Sequence, residues 1–162
     1  MKKPSASNPT QSEVSLTRTQ LVRATNHFFD LHWPASEERP EWSNPLYVGI
    51  GHIPSGHLPG CYAIVRDSRI RYIGSGVARC NDRYPNHGLA ARTHNYMRRD
   101  FAASKAHPER MPIWTFRYGD EGFYSIGFPS ARSYLAVALE FYLTDRFAQH
   151  LDNRRRISVI GR

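Results

Sequence analysis

The sequence predicts a small mixed α/β (α+β) domain in which a three-stranded antiparallel sheet is flanked by helices. The chain has 162 residues, of which 40% are hydrophobic, which is enough for one compact core and too little for two. Two short β-rich runs flank an Asp-Ser pair, which is typical of a hairpin. Segments with apolar residues at helical spacing precede and follow these runs.

The first part of the chain predicts an N-terminal helical extension ahead of this domain. Its opening residues are rich in Ser, Pro, Asn and Thr and have little to bury, so we expect disorder there. A helix follows, capped by Ser15 or Thr17 and stopped at Trp33, and a proline-rich loop comes next. The expected parts are a disordered segment 1–14, an extension 15–59 and a domain 60–162.

The order of elements predicted within the domain is strand, strand, helix, strand, helix. Alternating or β-branched residues indicate the strands, and a 3.6-residue apolar period indicates the helices. A Pro-Ser pair precedes the last helix, so Ser130 is its expected cap. The predicted elements are strands 61–66, 69–73 and 113–118 and helices 89–103 and 131–150.

Two tyrosines, Tyr62 and Tyr72, lie on the predicted hairpin. Directly opposed residues of an antiparallel pair share a face, and these two are opposed only if the hairpin is centred on residue 67. That centre requires a three-residue loop, 66–68, because a two-residue loop would place the phenols on opposite faces. We therefore expect the odd loop. The alternative is that both are ordinary strand aromatics, since strands favour tyrosine.

Two charged side chains stand out on the predicted helices. Glu140 is an acid on a helix face of small and apolar residues. A buried carboxylate needs a metal ion or an arginine beside it, and the alternative is that this face is more exposed to solvent than its apolar spacing indicates. Arg92 shares one stripe of the preceding helix with Tyr96 and Arg99. That helix can direct the guanidinium of Arg92 and the phenol of Tyr96 to the same side. The alternative is that Arg92 is an ordinary solvated arginine on the surface.

The charge balance favours an anionic partner. The chain has 22 Lys and Arg against 14 Asp and Glu, a net charge of +8, which favours nucleic acid over an anionic membrane surface. No run approaches the roughly 20 apolar residues of a spanning helix, and the apolar core of a signal peptide is missing. We expect a cytoplasmic protein without membrane contact. Two cysteines without a CxxC pair indicate neither a zinc site nor a disulfide framework.

Several elements, taken in order, resemble the GIY-YIG nuclease family. The stretch "GCY" at 60–62 resembles the first element with Cys in place of Ile, and "YIG" at 72–74 matches the second. The resemblance covers about residues 60–155. It continues, in chain order, with Arg92, Tyr96, Glu140 and Asn153.

This resemblance implies a small GIY-YIG-like domain that hydrolyses phosphodiester bonds with one Mg²⁺ or Mn²⁺ ion. Glu140 would hold the ion, because a single carboxylate with retained waters suits an octahedral oxygen site. Arg92 would hold the scissile phosphate through paired donors. By this resemblance Tyr62 is the better choice for the general base, with Tyr72 orienting the water or phosphate, but the sequence does not separate these two roles. Tyr96 or His94 would add a positioning or proton-transfer group. Cationic neighbours must favour phenolate for that base to act near neutral pH.

Further residues are expected to contact the nucleic acid, with DNA favoured over RNA. Most are arginines, which neutralise phosphates and make affinity fall with salt. A homodimer is expected if both strands of a duplex are cut. The expected contacts are Arg69, Arg71, Arg99, Asn153, Arg154 and Arg155.

Two other functions fit parts of the same pattern. A non-catalytic nucleic-acid-binding module would use the phenols as stacking platforms and the arginines as phosphate contacts. A tyrosine could instead be a covalent nucleophile supported by arginines, but that chemistry gives Glu140 no task.

Overall fold

The computed structural model describes residues 15–46, 53–77, 88–93, 97–99, 105–106, 114–116 and 122–155, and only the backbone of 97–99, 114–116 and 154–155. Its class is mixed α+β, as predicted. The elements in chain order are α1 (Arg18–His32), β1 (Gly60–Arg66), β2 (Arg69–Gly76), α2 (Leu89–Thr93), β3 (Met97–Arg99), β4 (Trp114–Phe116), β5 (Gly122–Gly127), a 3₁₀ turn (Ser130–Arg132), α3 (Ser133–Arg146) and a second 3₁₀ turn (Asp152–Arg155).

Helix α1 confirms the predicted N-terminal helix and its Thr17 cap. The Thr17 hydroxyl accepts from the Gln20 backbone N–H, and the Gln20 side chain accepts from the Thr17 backbone N–H, so a capping box satisfies two donors at this end. The helix ends at His32, and Trp33, with an extended backbone, follows it ahead of Pro34. Its buried face belongs to the same hydrophobic core as the sheet, and its members are Leu21, Ala24, Thr25, Phe28 and Phe29.

The hairpin between β1 and β2 corrects the expected three-residue loop. Arg66 pairs with Arg69, so the loop is the two residues Asp67 and Ser68, with φ of 52° and 57°. Two left-handed residues in a row form a two-residue turn whose twist matches that of the strands, and Asp tolerates this conformation well. A β-bulge at Arg71 then shifts the register by one residue, so that Ile64 pairs with Tyr72 and Tyr62 with Gly74. The two-residue turn alone would place Tyr62 and Tyr72 on opposite faces, and the bulge returns them to the same face.

The third strand of the main sheet is β5, not the predicted segment 113–118. The strand order is β2-β1-β5 and both pairings are antiparallel. Within the predicted third strand, Trp114–Phe116 instead pairs with Met97–Arg99 in a separate two-stranded sheet. Both 113–118 and 122–127 are β-rich, so the local pattern did not distinguish the strand that pairs with β1.

The predicted helix 89–103 is confirmed at its start and is wrong at 97–99, while 94–96 and 100–103 lie outside the described residues. Helix α2 spans only Leu89–Thr93, and Met97–Arg99 is extended because it pairs with β4. Arg92 and Arg99 therefore do not share a helical stripe, and Tyr96 lies outside the described residues. The last helix begins with a 3₁₀ turn at Ser130–Arg132 that lacks a side-chain cap, so the expected Ser130 cap is not formed, and α3 ends at Arg146.

The two faces of the sheet are covered differently. One face, here the helix face, carries Cys61, Ala63, Ile73 and Ile126 and packs in the core with α1 and α3. The opposite face, here the phenol face, carries Tyr62, Ile64, Tyr72 and Phe123 and packs against Leu89 of α2. Among the described helices, none is long and apolar enough to cross a membrane.

Both outer edges of the sheet are occupied by other parts of the chain. The amide of Asn153 donates to the Ile73 carbonyl at 2.6 Å and accepts from the Ile73 N–H at 3.1 Å, so it pairs with β2 as a short strand would. Leu46 exchanges two backbone hydrogen bonds with Phe123 on β5. Capping an exposed edge in this way protects it from pairing with another chain and fixes β2 in place.

Candidate functional site

The two hairpin tyrosines lie together on the phenol face, as the sequence predicts, but by a different register. They are diagonal rather than directly opposed, since Tyr62 pairs with Gly74, two residues beyond Tyr72. Their ring centroids are 6.0 Å apart with planes 27° from parallel, and the Tyr62 ring also stacks on Phe123 at 5.7 Å. Tyr62 has no solvent exposure, whereas Tyr72 is half-buried. Tyr72 is therefore the residue of this pair that meets solvent.

Gly74, the last residue of the "YIG" stretch, makes room for the Tyr62 phenol. A Cβ built at Gly74 would lie 2.5 Å from the Tyr62 hydroxyl oxygen and 2.9 Å from Cε1 of Tyr72. The phenol of Tyr62 thus crosses directly over the backbone of β2. Only glycine allows this approach, because any side chain at 74 must displace a ring that is stacked on both sides.

Arg92 approaches the next phenol-face position of β2. A Cβ built at Gly76 would lie 3.2 Å from the Arg92 Cβ and 3.1 Å from the Leu89 Cα. The start of α2 is held by the loop that precedes β1, because the Leu89 N–H donates to the Leu58 carbonyl at 3.0 Å and the Ala90 N–H to the Gly56 carbonyl at 2.9 Å. This short helix therefore lies against β2 while the Arg92 side chain extends into solvent.

Glu140 reaches β2 from the opposite face. It lies on α3, half-buried, and its Oε2 accepts a hydrogen bond from the Ser75 hydroxyl. Since successive strand residues alternate in direction, Ser75 points to the helix face while Gly74 and Gly76 lie on the phenol face. The carboxylate and the phenols are thus on different faces and approach each other only at the edge strand.

Cys61 adds a neutral group beside this carboxylate. It is the cross-strand partner of Ser75, and its Sγ donates to the Ala136 carbonyl at 2.9 Å, one helical turn before Glu140. Complete burial raises the pKa of the Cys61 thiol well above its ordinary value, and the Glu140 charge raises it further. The thiol therefore stays protonated near neutral pH.

These observations bring four predicted site residues to one short segment of the edge strand, 74–76. Tyr62 and Tyr72 meet it at Gly74, Glu140 at Ser75, and Arg92 at Gly76. At about 3.3 Å per residue, the segment spans less than 10 Å along the strand. The phenols and Arg92 thus reach this stretch of backbone from one face of the sheet, and Glu140 reaches it from the other.

The donors available here suit a hard cation. The described residues contain no group of three or more His, Cys, Asp or Glu side chains that could hold a metal. Glu140 is a single carboxylate at the sheet edge, which fits an ion that keeps most of its waters and binds substrate phosphate. Mg²⁺ and Mn²⁺ prefer such oxygen donors, whereas zinc prefers nitrogen and sulfur.

The residues predicted to contact nucleic acid are placed unevenly. Arg69 and Arg71 lie half-buried on β2, with Arg71 in the bulge. The Asn153 amide is committed to the backbone of Ile73, so it supports the strand rather than presenting these two hydrogen bonds to a ligand. The side chains of Arg99, Arg154 and Arg155 lie outside the described part of the structure.

Sequence reasoning missed Ser75, the residue that contacts Glu140. The sequence contains a pattern that could have identified it. Ser75 lies between two glycines directly after "YI", and two glycines so close together are unusual in a strand, where glycine is disfavoured. Glycines at alternate positions indicate close approach on one face, and the residue between them must then point to the other.

Comparison with protein families, characterised proteins and solved structures finds no match to this chain. The resemblance to GIY-YIG nucleases accordingly stays a proposal, and its support is the local geometry of the residues described above.

Proposed function

We propose that the protein is a metal-dependent endonuclease with a GIY-YIG-like site that hydrolyses phosphodiester bonds in nucleic acid, with DNA the favoured substrate. The observation that carries this proposal is the convergence of Tyr62, Tyr72, Glu140 and Arg92 on residues 74–76. Phosphodiester hydrolysis requires an activated water, charge stabilisation on the phosphoryl oxygens and stabilisation of the leaving oxygen. The four side chains include a group suited to each task.

Arg92 is the group that would bind the scissile phosphate. Its backbone is fixed against β2 and its side chain is exposed, so the guanidinium can reach an incoming anion without losing its support. A guanidinium offers two parallel donors to two phosphate oxygens, and this pairing both holds and orients the group.

Tyr72 is the phenol best placed to contact the attacking water. A general base must lie within hydrogen-bond distance of the proton that it removes. Tyr62 has no solvent exposure, whereas Tyr72 meets solvent and stacks on Tyr62. We therefore exchange the roles that the resemblance implies: Tyr72 acts on the water, and Tyr62 holds the Tyr72 ring in place.

Glu140 would hold the metal ion. Mg²⁺ or Mn²⁺ bound there would supply charge stabilisation for the phosphate and the leaving oxygen. The carboxylate is half-buried next to the edge strand, and the Cys61 thiol that lies beside it has a raised pKa.

The burial of Tyr62 removes this residue, but not Tyr72, from both alternative functions. A stacking platform for bases needs an open ring face, but the Tyr62 ring is stacked on both Tyr72 and Phe123 and is buried. A covalent nucleophile must reach the phosphorus atom, which a buried Tyr62 does not do. The net charge of +8 supports nucleic-acid binding under any of the three functions, so binding alone does not distinguish them.

A substrate panel tests this proposal. Purified protein is incubated with duplex DNA, single-stranded DNA and RNA of one sequence, each with Mg²⁺, with Mn²⁺ or with EDTA, and both cleavage and binding are measured at fixed salt. We expect metal-dependent cleavage of at least one polymer, with DNA cut fastest. Binding of all three without cleavage of any, in either metal, would favour the non-catalytic module.

A further inference from the structure

Ser75 is the one residue of segment 74–76 that the proposed chemistry does not yet use. It has a glycine on each side, and a Cβ at either glycine would make close contacts on the phenol face, closer at Gly74 than at Gly76. Its own side chain points to the helix face, where its hydroxyl donates to Oε2 of Glu140. Residues 74–76 therefore contact the two tyrosines, Arg92 and Glu140 within three consecutive positions.

We propose that Ser75 is a positioning residue that orients the Glu140 carboxylate for metal binding. This inference rests on the proposed metal site at Glu140. The α3 backbone at Glu140 is already fixed, since Leu139 and Leu143 are fully buried and the Cys61 thiol binds the Ala136 carbonyl. The orientation of the carboxylate is set instead by the groups that its oxygens contact, and the Ser75 hydroxyl is one of these.

The hydrogen bond has a clear consequence for a metal ligand. An ionised carboxylate has about four lone-pair directions, and a donor on Oε2 fixes the carboxylate plane while using only one of them. A single ligand that is already oriented loses less rotational freedom when an ion binds. Partners that orient metal ligands typically change metal affinity by about 10- to 100-fold when they are removed.

The position of Ser75 also couples the carboxylate to the rest of the site. Asn153 holds Ile73 from the outer edge, and Tyr62 crosses Gly74, so the backbone on the N-terminal side of Ser75 is fixed by two independent contacts. The hydroxyl therefore places Glu140 at a defined point relative to the phenols, although the carboxylate comes from a separate element.

The experiment compares Ser75→Ala, Ser75→Thr and Glu140→Gln with wild type, and it uses Ser36→Ala, an exposed serine, as the matched control. Binding of Mn²⁺ to the protein without nucleic acid is measured from the electron paramagnetic resonance signal of free Mn²⁺. The Mn²⁺ concentration that gives half-maximal cleavage is measured separately, and thermal melting monitors folding. We expect Ser75→Ala to raise the Kd for Mn²⁺ and the Mn²⁺ concentration for half-maximal cleavage about tenfold each, while the cleavage rate at saturating Mn²⁺ changes much less. Ser75→Thr should behave like wild type in both measurements.

The outcomes separate this inference from the function on which it rests. Glu140→Gln that abolishes Mn²⁺ binding, together with Ser75→Ala that behaves like Ser36→Ala, would overturn the role of Ser75 and leave the metal site intact. Equal Mn²⁺ binding by Glu140→Gln and wild type would overturn the metal site, and the role of Ser75 with it. A tenfold shift in Ser75→Ala that Ser75→Thr restores supports the positioning role, because a simple loss of packing would not be specific to the hydroxyl.

Discussion

Tyr62 and Tyr72 carry the same functional group in different environments, and the roles proposed for them rest on this difference. The Tyr62 hydroxyl lies over the backbone of Gly74 in a fully buried position, and Tyr72 stacks on it at the solvent side. A buried phenol has little access to an attacking water, whereas a half-exposed one can accept its proton if nearby cations favour phenolate.

Replacing each phenol by phenylalanine tests this assignment. Tyr72→Phe keeps the ring stack and removes only the hydroxyl, so we expect the single-turnover cleavage rate to fall by about 100-fold or more. Tyr62→Phe should have a smaller effect. Affinity for the same oligonucleotide should remain near that of wild type, and Tyr134→Phe, which changes an exposed tyrosine, is the control. A larger loss in Tyr62→Phe than in Tyr72→Phe would return the base to Tyr62.

Arg92→Lys tests whether the Arg92 guanidinium orients the phosphate. The substitution keeps the positive charge but removes the planar pair of donors, so the bound phosphate is no longer held in one orientation. We expect turnover to fall by about 100-fold while affinity changes little. The comparison is Arg23→Lys, an exposed arginine on α1. Turnover close to wild type in Arg92→Lys would remove Arg92 from the proposed site.

At the scale of elements, β2 is the strand on which the site depends. Its bulge at Arg71 brings Tyr72 onto the face of Tyr62, and its segment 74–76 receives side chains from β1, α2 and α3. Because Asn153 pairs with Ile73, the outer edge of this strand is closed by the 3₁₀ turn that follows α3. The order of β2 therefore depends on contacts from both ends of the domain.

Gly74→Ala tests the close approach between β2 and the Tyr62 ring. The new methyl group would lie 2.5 Å from the Tyr62 hydroxyl oxygen, so the ring or the strand must move. Overpacking of this kind costs roughly 1–3 kcal/mol, to be measured by urea unfolding, and the displaced phenols should also slow cleavage. Gly76→Ala is the comparison, because its nearest contact is 3.1 Å and the cost should be smaller. Equal stability of Gly74→Ala and wild type would contradict the packing described for Tyr62.

At the scale of the whole molecule, the core includes a thiol whose protonation affects stability. Burial, and then the Glu140 charge, raise the pKa of Cys61 well above its ordinary value of 9.0. Below the ordinary value the thiol is protonated in both folded and unfolded chains, so stability does not depend on it. Above 9.0 the unfolded chain releases this proton before the folded chain does, and stability therefore falls as pH rises.

Cys61→Ala isolates this contribution from other groups that titrate in alkali. We expect wild type to lose more unfolding free energy than Cys61→Ala between about pH 8 and pH 10.5, as measured by urea unfolding at each pH. The variant should be less stable than wild type at neutral pH, because it leaves a small cavity and loses the hydrogen bond to Ala136. Parallel pH dependences for the two proteins would show that Cys61 does not titrate as described.

The sequence predicted the mixed class, the first helix with either Ser15 or Thr17 as its cap, and the hairpin with both phenols on one face. It did not predict how the register is achieved, because the bulge at Arg71 depends on pairing with β1 and leaves no local signal. It also chose the wrong third strand and extended α2 too far, since Met97–Arg99 takes its conformation from pairing with β4. The candidate site residues could be chosen from the sequence, because they occur along the chain in the order that the resemblance implies. Their contacts with residues 74–76 could not be predicted, because they depend on packing between elements that are distant in sequence.

The central claim is that Glu140 belongs to one site with the phenols and Arg92, although it approaches from the opposite face of the sheet. Glu140→Gln tests it most directly, with Glu38→Gln as the exposed control, in single-turnover cleavage with Mg²⁺ and in binding of the same oligonucleotide in EDTA. Loss of a sole carboxylate ligand should reduce cleavage by at least about 100-fold, while phosphate contacts from arginine keep affinity within about threefold of wild type. Cleavage by Glu140→Gln at the wild-type rate would contradict the claim.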